Sequence, residues 1–540
     1  MLTETFALGF DGACAMAFNP VLMNVPTHTP VIVGVAQRCD TTSMPGEGLS
    51  PLQALAEVSR KAAVDTGTPD PTALLREIDD VTVIRMFSDT MARFKSPFGV
   101  MVDPPWSLSR QLGANPRSRA YAPVGGDSPQ TQLTQACRRI ATGEAEVVLL
   151  AGVEALRTEQ AAQRAGLQLD WNEAGPSTPQ STQGSLRYYT PQEELHGMRA
   201  PSVMYGLIAQ AMRRARGLTP VQYQQQCAEL FERFATVARD NPFATRRAGY
   251  NAQAIGTVSP DNPMIGTPYT KLMTSSAFVD QAAAMLVCSE QRAKALGIPR
   301  AHWIYLHGAA SAHNQRFVSE RADINDTTAL RLTASQALTH ADQTVADMDL
   351  FDLYSCFPCA VQAACDALGL SESDPRPLTV TGGLSFFGGP GNNYSTHAIA
   401  EIVQRLRKKR GASGLVLANG GPLTNVSVGV YSTRRSNGAW LFALGEGIQA
   451  RIDAMPKAVL DAAPLGRAQV ETMTVLWGKQ GPQHASLFGR LPNGKRFTAI
   501  LAANKEQLRA ISLIDPIGLE GTVTRPGDVN LFHPDIFDPH

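Results

Sequence analysis

The 540-residue sequence lacks several features that would assign a protein to a class at once. Its 48 basic and 48 acidic side chains balance, so no net charge attracts nucleic acid or an anionic membrane. The most continuous apolar run, VVLLAGV at 147–153, is far shorter than the roughly 20 residues of a membrane-spanning helix. The N-terminal stretch carries Glu4 and Asp11 without a basic start, unlike a secretory signal. We therefore expect a cytoplasmic protein with neither a nucleic acid nor a membrane as its partner.

The sequence contains few cysteines, and their spacing shows almost no regular pattern. The eight cysteines are scattered, and only Cys356 and Cys359 have a paired spacing. This usage suits a reducing compartment. The two could form a redox pair at a helix start, but no second pair completes a zinc site, and we interpret them as structural. We expect no metal and no permanently bound cofactor.

Strand and helix patterns alternate in two series. Hydrophobic residues make up 44% of the chain and charged residues 18%, as in globular proteins. The first series has strand patterns at 31–37, 81–87 and 146–152, with helical patterns at 51–66 and 129–142. The second has strand patterns at 303–309, 348–354 and 378–383, helical patterns at 327–340, 358–368 and 395–408, and a strand pair at 414–420 and 425–433. The alternation predicts a duplicated α/β fold with parallel sheets covered by helices.

The chain length predicts two or three domains. We expect an N-terminal extension (1–27), a core (28–433), a linker (434–462) and a C-terminal domain (463–540). Within the core, 28–156 and 301–433 form the two halves, and 157–300, with a polar loop at 176–190, is expected to be an inserted loop or lid region and the connection between them. The C-terminal domain has short apolar runs, and Asn493-Gly494 between two of them predicts a hairpin and an antiparallel β-barrel.

One turn directly precedes the N-terminus of a helix, a position where a nucleophile would be activated. Ser128 has the character of an N-cap and Pro129 suits the first position of the helix that follows. An anion in the preceding turn would be stabilised by the helix N-terminus, but the turn offers only Gly125, Gly126 and Asp127 before Ser128. Ser128 could act as a nucleophile, although capping explains it better. Asp127 would disfavour an incoming anionic group.

Several motifs, in order, resemble those of the thiolase superfamily, in particular the branch of sterol carrier protein thiolases and thiolase-like proteins. They are GEAEVVLLAGVEAL, TPYTKLMTSSAFVDQAAAMLVCSEQRAKALG, FDLYSCF, FFGGPGN and LANGGPL, within residues 28–433. The resemblance implies a duplicated, layered αβαβα thiolase fold. It also implies an acetyl-CoA acetyltransferase-like protein with a coenzyme A thioester as its substrate or ligand.

The residues on which that family's chemistry depends are replaced here. The family's spacing places its nucleophilic cysteine at Gly126 and the histidine of its Gly-His-Pro motif at Gly389. Its second, acid/base cysteine falls at or next to Ala418 and Asn419, and the asparagine or histidine of the remaining motif becomes Tyr354. The resemblance thus implies that ordinary thiolysis through an acyl-cysteine does not occur.

Our candidate catalytic residues are Tyr354, His397 and Asn419. The phenol of Tyr354 could donate a hydrogen bond to a thioester or ketone oxygen, or act as an acid/base with a lowered pKa, or it could simply be packed. His397 could stand in for the lost histidine, although a lone helical histidine is more often packed or capped. The candidate substrate-binding residues lie in the turn and in two glycine-rich loops, whose amides could face a phosphate or carbonyl oxygen: Gly126, Ser128, Gly388, Gly389, Gly420 and Gly421.

Two functions remain open from the sequence. In the first, the protein is an enzyme of acyl-CoA metabolism, in lipid or steroid degradation, that performs acyl transfer or retro-aldol carbon–carbon cleavage without an acyl-cysteine. In the second, it is a non-catalytic relative that binds acyl-CoA or a partner protein, with the C-terminal barrel as the interaction module. Some thiolase-like proteins of steroid breakdown combine tyrosines at the site with a small β-barrel partner. Either function allows a monomer or a homodimer.

Overall fold

A computed structural model describes residues 28–176, 187–436, 438–443 and 447–537 of the chain. The expected N-terminal extension and most of the polar loop therefore lie outside the described residues. Within these ranges, no helix is both long and apolar enough to cross a bilayer.

The strands and helices alternate along most of the chain, as the sequence patterns predict. The strands are β1 (Pro30–Asp40), β2 (Asp80–Val83), β3 (Ser118–Tyr121), β4 (Val147–Ala155), β5 (Met264–Gly266), β6 (Tyr269–Thr270), β7 (Asp280–Ser289), β8 (Tyr305–His313), β9 (Leu350–Leu353), β10 (Ser413–Gly420), β11 (Asn425–Ser432), β12 (Gly466–Gly478), β13 (Gly481–Arg490), β14 (Arg496–Leu501), β15 (Glu520–Thr524) and β16 (Leu531–Pro534). The α-helices are α1 (Pro51–Asp65), α2 (Pro71–Arg76), α3 (Pro104–Leu112), α4 (Ser128–Ala141), α5 (Leu156–Arg164), α6 (Pro191–Leu195), α7 (Pro201–Ala215), α8 (Pro220–Asp240), α9 (Ala252–Gly256), α10 (Glu290–Ala295), α11 (Thr328–Ala341), α12 (Pro358–Leu368), α13 (Gly383–Phe386), α14 (Tyr394–Lys408), α15 (Ile448–Asp453) and α16 (Lys505–Ile511).

Two sheets enclose a central pair of helices, which confirms the layered thiolase-type core. The first sheet has the order β1-β7-β4-β2-β3 and the second the order β8-β11-β10-β9. Helices α4 and α14 contact each other and both sheets, whereas α1 covers the outer face of the first sheet and α11 that of the second. The loops that form the candidate active site, described below, run from the sheets to the central helices α4 and α14.

The expectation of parallel sheets is only partly correct, because both sheets are mixed. In the first, β7 runs antiparallel to β1 and β4, while β2 is parallel to β3 and β4. In the second, β11 is antiparallel to β8 and β10, and only β9 and β10 are parallel. Strands β10 and β11 are joined by a short turn, which forces them to be antiparallel.

The last part of residues 157–300, the segment expected to be an inserted loop or lid region and a connection, contains a strand of the core. Strand β7 lies between β1 and β4 and is buried along its whole length, so it completes the first sheet. Strands β5 and β6 extend the C-terminal sheet through a pairing of Leu476 with Gly266. This segment therefore joins the core and the C-terminal region.

The C-terminal region forms a closed five-stranded barrel. Strands β12, β13, β14, β16 and β15 follow one another around it, and β12 pairs with both β13 and β15 to close it. The predicted hairpin at Asn493-Gly494 is confirmed: it joins the antiparallel strands β13 and β14, and Gly494 has φ 80°. The barrel is not wholly antiparallel as expected, since β14 and β16 run parallel.

A buried arginine attaches the barrel to the core. Arg496 on β14 is fully buried, and its guanidinium donates to the Glu471 carboxylate on β12 at 2.6 and 2.7 Å. The same guanidinium donates to the main-chain carbonyls of Ser319 at 2.8 Å and of Arg321. A buried charge is tolerated only when its hydrogen bonds are made, so this contact fixes the barrel against residues 319–321.

Two local predictions are corrected. Residues 378–383 form no strand, although the structure describes them throughout. Their main-chain N–H groups are used otherwise: those of Val380 and Thr381 donate to the buried Asp352 carboxylate at 3.1 and 3.3 Å. Ser128 is not an N-cap but the first residue of α4; Asp127 occupies the cap position, without a side-chain capping bond.

Candidate active site

Gly126 and Tyr354 meet at the head of α4. A Cβ atom built on Gly126 would collide with the Tyr354 hydroxyl and would lie 2.5 Å from the main-chain oxygen of Asn419. Real Cβ contacts are not this short, so only glycine fits at 126 beside this tyrosine. The hydroxyl of Tyr354 thus occupies the space that the side chain of residue 126 would need.

Strand pairing and helix α14 bring these residues together. Tyr354 directly follows β9, and its N–H donates to the Leu417 carbonyl on β10 at 3.0 Å. The Gly126 carbonyl accepts a hydrogen bond of 2.8 Å from the Ser395 hydroxyl on α14, and the Gly125 N–H donates to Asn392 Oδ1 at 3.1 Å. The turn before α4 is therefore held from one side by α14.

Tyr354 is placed to donate a proton in a hydrogen bond. Its side chain is 7% exposed, and burial raises its pKa well above 10. Among the described residues, no hydrogen bond to its hydroxyl is formed. Of the roles considered for Tyr354, the raised pKa favours the hydrogen-bond donor over the acid/base: the phenol stays protonated at neutral pH and can stabilise a carbonyl oxygen as a donor.

Asp127, the residue after Gly126, supplies an ionisable carboxyl that acts electrostatically on Tyr354. Its Oδ1 lies in the space that a side chain on Gly420 would fill, and Asn425 approaches the same oxygen at 3.5 Å. Burial raises the pKa of Asp127 to about 6, and this carboxylate in turn contributes to the raised pKa of Tyr354. A carboxyl with a pKa near neutrality is suited to accepting a proton.

The Asn419 side chain is hydrogen-bonded to Tyr205. Its Nδ2 donates to the Tyr205 hydroxyl at 2.8 Å, and that hydroxyl donates to the Gly421 carbonyl at 2.7 Å. The Asn419 Oδ1 is buried without a partner. Asn419 therefore takes part in the site through its main-chain oxygen, and its side chain positions the hairpin between β10 and β11.

The two glycine-rich loops lie against polar side chains. A Cβ on Gly388, which has φ 124°, would lie 2.5 Å from Gln281 Oε1, and one on Gly389 would collide with the Ser275 hydroxyl. The Gly389 N–H donates to the Ser276 carbonyl at 2.9 Å. The expectation that this amide faces a ligand is therefore wrong. In the other loop, between β10 and β11, Gly421 has φ 63°, in the left-handed region that favours glycine.

His397 is not part of the site. It is fully buried on α14, its Nδ1 lies 2.9 Å from Gln37 Oε1, and its ring packs edge-on against Phe387. Ser395, two residues earlier on the helix, is the residue that reaches Gly126. Because side chains two residues apart point to different faces of a helix, His397 cannot stand in for the lost histidine. Burial lowers its pKa to about 3, so it is neutral.

Cys356 and Cys359 are free, buried thiols. Burial raises the pKa of Cys356 to about 12, which leaves no reactive thiolate at neutral pH. The Sγ of Cys359 donates weakly to the Tyr205 carbonyl at 3.6 Å. In the part of the chain that the structure describes, no group of three His, Cys, Asp or Glu side chains could hold a metal ion.

Sequence reasoning missed three polar residues that border the site. Tyr205 lies on α7, Gln281 on β7, and Ser275 in the segment before β7. The motif TPYTKLMTSSAFVDQ contains the last two, but neither lies near Tyr354 in sequence. Tyr205 carries no local signal, since it is one aromatic residue in an amphipathic helix. Only the folded chain brings it to Asn419.

The comparisons with known proteins agree with the fold. The family described as "Thiolase-like protein type 1 additional C-terminal domain" matches residues 447–528. The crystal structure of a monomeric SCP2-thiolase-like protein type 1 from Mycobacterium smegmatis is 34% identical, with a TM-score of 0.78, over 93% of this chain and 98% of that chain.

More distant similarities concern the thiolase part. A 3-ketoacyl-CoA thiolase of Salmonella typhimurium is 25% identical over 236 residues, which are 39% of this chain and 58% of that protein. The chain thus spans little more than half the length of this curated relative. The "Ltp2-ChsH2(DUF35) aldolase" is similar in fold, with a TM-score of 0.54 and 19% identity over 75% of this chain and 98% of that one.

Proposed function

The chain belongs to the SCP2-thiolase-like proteins of type 1, and from this premise we propose that it binds a coenzyme A thioester and acts on its carbonyl group without an acyl-cysteine. One observation carries the proposal: the Tyr354 hydroxyl fills the space at Gly126 where, by the family resemblance, the nucleophilic side chain would be. A protonated hydrogen-bond donor thus replaces a nucleophile. The site keeps a means of polarising a carbonyl and loses the means of attacking it.

The two ionisable groups of the site suit a retro-aldol cleavage. The Asp127 carboxylate, with its pKa raised to about 6, takes the proton from the hydroxyl of a β-hydroxyacyl thioester. The oxygen then forms a carbonyl, the bond between the α and β carbons breaks, and its electron pair moves into the thioester as an enolate. The protonated Tyr354 donates to the enolate oxygen, where the charge develops. Return of the proton to the α carbon completes the reaction.

The relatives support the substrate class at a coarse level. The 3-ketoacyl-CoA thiolases that the chain resembles are named for a coenzyme A thioester. The aldolase shares only the fold with this chain, and the resemblance is compatible with carbon–carbon cleavage on such a scaffold. The turnover assay described below identifies which acyl group the protein accepts, and whether that group carries a steroid.

A second function is favoured by the low exposure of the Tyr354 side chain. A side chain only 7% exposed, at a site where a glycine replaces the family's histidine and Ala418 or Asn419 its second cysteine, also suits a protein that binds a thioester without transforming it. In that case the C-terminal barrel is the module that docks a partner protein. The M. smegmatis relative is described as monomeric, and we propose the same state here.

The test is a turnover assay with the full chain. β-Hydroxyacyl-CoA and 3-ketoacyl-CoA thioesters, short-chain and steroidal, are incubated with the protein and analysed by mass spectrometry. The proposal predicts cleavage that Tyr354→Phe abolishes, that Asp127→Asn slows strongly, and that the matched control Tyr250→Phe leaves unchanged. Binding of thioesters without cleavage establishes the second function instead. Absence of both binding and cleavage overturns the proposal.

A further inference from the structure

Tyr188 contacts both turns that flank the candidate site. Its ring fills the space that a side chain on Gly421 would need, in the turn between β10 and β11. Its hydroxyl donates to the Val124 carbonyl at 3.1 Å, in the turn before α4. A Cβ on Gly125, in the same turn, would lie 3.5 Å from this hydroxyl. Tyr188 therefore joins the two turns to each other.

One side-chain amide reaches both Tyr188 and Asp127. The Nδ2 of Asn425, the first residue of β11, donates to the Tyr188 hydroxyl at 3.2 Å. The same Nδ2 lies 3.5 Å from Asp127 Oδ1. A well-formed hydrogen bond from an N–H to an oxygen is about 2.9 Å long. The bond to Tyr188 is therefore the closer of the two, and the contact with the Asp127 carboxyl is stretched.

The carboxyl group of Asp127 is fixed, whereas the amide of Asn425 can move. Asp127 Oδ1 lies in the space that side chains on Gly125 and on Gly420 would fill, so it is enclosed between the two turns. Asn425 is half-buried, and its Oδ1 accepts no hydrogen bond from any residue that the structure describes. Its amide is therefore held through Nδ2 alone.

The other titratable and charged groups around Asp127 are neutral or exposed. Tyr188, His313 and Arg316 line a cavity of about 400 Å³ together with Asp127. Solvent screens any charge on His313 and on Arg316, because both are exposed. Tyr188 and Tyr354 are neutral phenols, since burial raises the pKa of each above its usual value of 10. A substitution that removes only the Tyr188 hydroxyl therefore leaves the charges around Asp127 unchanged and alters the amide.

We propose that Tyr188 is a positioning residue for Asp127: its hydroxyl holds the Asn425 amide away from the carboxylate and so keeps this group able to take up a proton. An amide released from Tyr188 shortens the 3.5 Å contact toward about 2.9 Å and stabilises the charged form of Asp127. The role of Asp127 as a base rests on the proposed function. The influence of Tyr188 on its proton affinity depends on no turnover.

The test is a pH titration of Asp127 in the full chain, by NMR of the carboxyl carbons of labelled aspartate. The Asp127 signal is the one missing from Asp127→Asn. Tyr188→Phe keeps the ring over Gly421 and loses the hydroxyl, so the pKa of Asp127 should fall from about 6 by about one pH unit, a ten-fold loss of proton affinity. Tyr250→Phe is the matched control, because Tyr250 stacks on Phe386 instead, and it should leave this pKa unchanged. An unchanged or raised pKa of Asp127 in Tyr188→Phe overturns the inference.

A double variant shows whether Asn425 carries the effect. Asn425→Ala removes a donor to the carboxylate and should raise the pKa of Asp127. In Asn425→Ala combined with Tyr188→Phe, the effect of the tyrosine substitution should vanish. If that effect persists in full, Tyr188 acts through the packing of the two turns, and the inference is overturned.

The titration uses no substrate, so it separates this inference from the proposed function. A lowered pKa of Asp127 in Tyr188→Phe, in a protein that cleaves no thioester, supports the inference and refutes the proposed function alone. Cleavage of a thioester together with an unshifted pKa refutes only the inference.

Discussion

The hydroxyl group of Tyr354 lies where the side chain of residue 126 would be, and the glycine at that position makes room for it. The two residues are more than 200 positions apart in sequence and meet only because β9 and α4 converge in the fold. A side chain at position 126 is not compatible with Tyr354 in its present position. The loss of a side chain at 126 and the presence of a phenol at 354 are therefore one structural feature.

Gly126→Ala should lower the free energy of unfolding. The added Cβ meets the Tyr354 hydroxyl and a main-chain oxygen that cannot move aside cheaply. Overpacking of this kind costs about 1–3 kcal/mol. Urea unfolding measures the change, with Gly266→Ala as the control, since a Cβ at Gly266 makes only ordinary contacts of 3.4 Å or more. If the two variants were equally stable, the close approach of Tyr354 to Gly126 would be refuted.

The same feature predicts that the missing nucleophile cannot simply be restored. In Gly126→Cys the thiol enters the space of the Tyr354 hydroxyl, so we expect lower stability and no thiolysis of 3-ketoacyl-CoA. Adding Tyr354→Phe removes the nearest atom, although the ring carbon Cζ remains 2.6 Å from the added Cβ. The double variant should thus recover only part of the lost stability in urea unfolding. Full thiolase activity in Gly126→Cys alone would contradict this account.

Glu154→Gln should stabilise the protein increasingly as the pH rises from 5 to 8. Glu154 is 3% exposed, accepts the Phe87 N–H at 2.8 Å, and burial raises its pKa from 4.5 to about 8. Between these values the folded protein holds a proton that the unfolded chain releases, so the free energy of unfolding falls as the pH rises. Glutamine at this position can still accept the hydrogen bond from the Phe87 N–H, but its side chain does not titrate.

The difference between the two proteins should reach up to about 4 kcal/mol at pH 8 and shrink toward pH 5. It is measured by urea unfolding across this range. Glu146→Gln is the control, because Glu146 is 66% exposed. A pH-independent difference, equal to that of the control, would show that Glu154 is not a buried neutral acid.

Arg496→Met should weaken the attachment of the barrel. It removes a fully buried cation that binds Glu471 and two carbonyls of residues 319 and 321, and breaking such a network costs about 3–5 kcal/mol. Arg490 also binds Glu471, at 2.8 Å, but is 34% exposed. Arg490→Met is therefore the matched control, with a loss of about 1 kcal/mol or less. Equal losses in thermal unfolding would argue against the buried contact.

The layered core could be predicted from the sequence because its apolar periodicities are local. The helix at 358–368 is confirmed to the residue, and the hairpin at Asn493-Gly494 lies where its two turn-forming residues indicate. Strand directions could not be predicted, since β7 reaches the first sheet only after a long intervening segment. The false strand at 378–383 has apolar alternation, but its amides bind a buried aspartate from another element.

The site was harder to predict than the fold. Gly126 and Tyr354 followed from the positions of motifs, yet the contact between them required the three-dimensional structure. His397 was chosen for its proximity in sequence to a lost histidine, and the helix turns it toward Gln37 instead. The Tyr205–Asn419 pair joins a helix and a strand more than 200 residues apart. No sequence pattern encodes such a pairing.

Asp127→Asn should remove the acidic limb of the pH–rate profile. With the pKa of Asp127 raised to about 6 by burial, a reaction that needs its carboxylate gains rate as the pH rises through that value. The amide cannot accept the proton, so the residual rate of the variant should not vary with pH from 5 to 7. Persistence of an inflection near pH 6 in the variant would assign the base to another group.

The central claim is that thioester chemistry here proceeds without an acyl-cysteine. Intact-protein mass spectrometry, during incubation with a β-hydroxyacyl-CoA that the protein cleaves, tests it most directly. We predict that the protein mass stays unchanged while product accumulates, and that Tyr354→Phe stops the accumulation. An acyl group attached to any cysteine of the chain on the timescale of turnover would contradict the account.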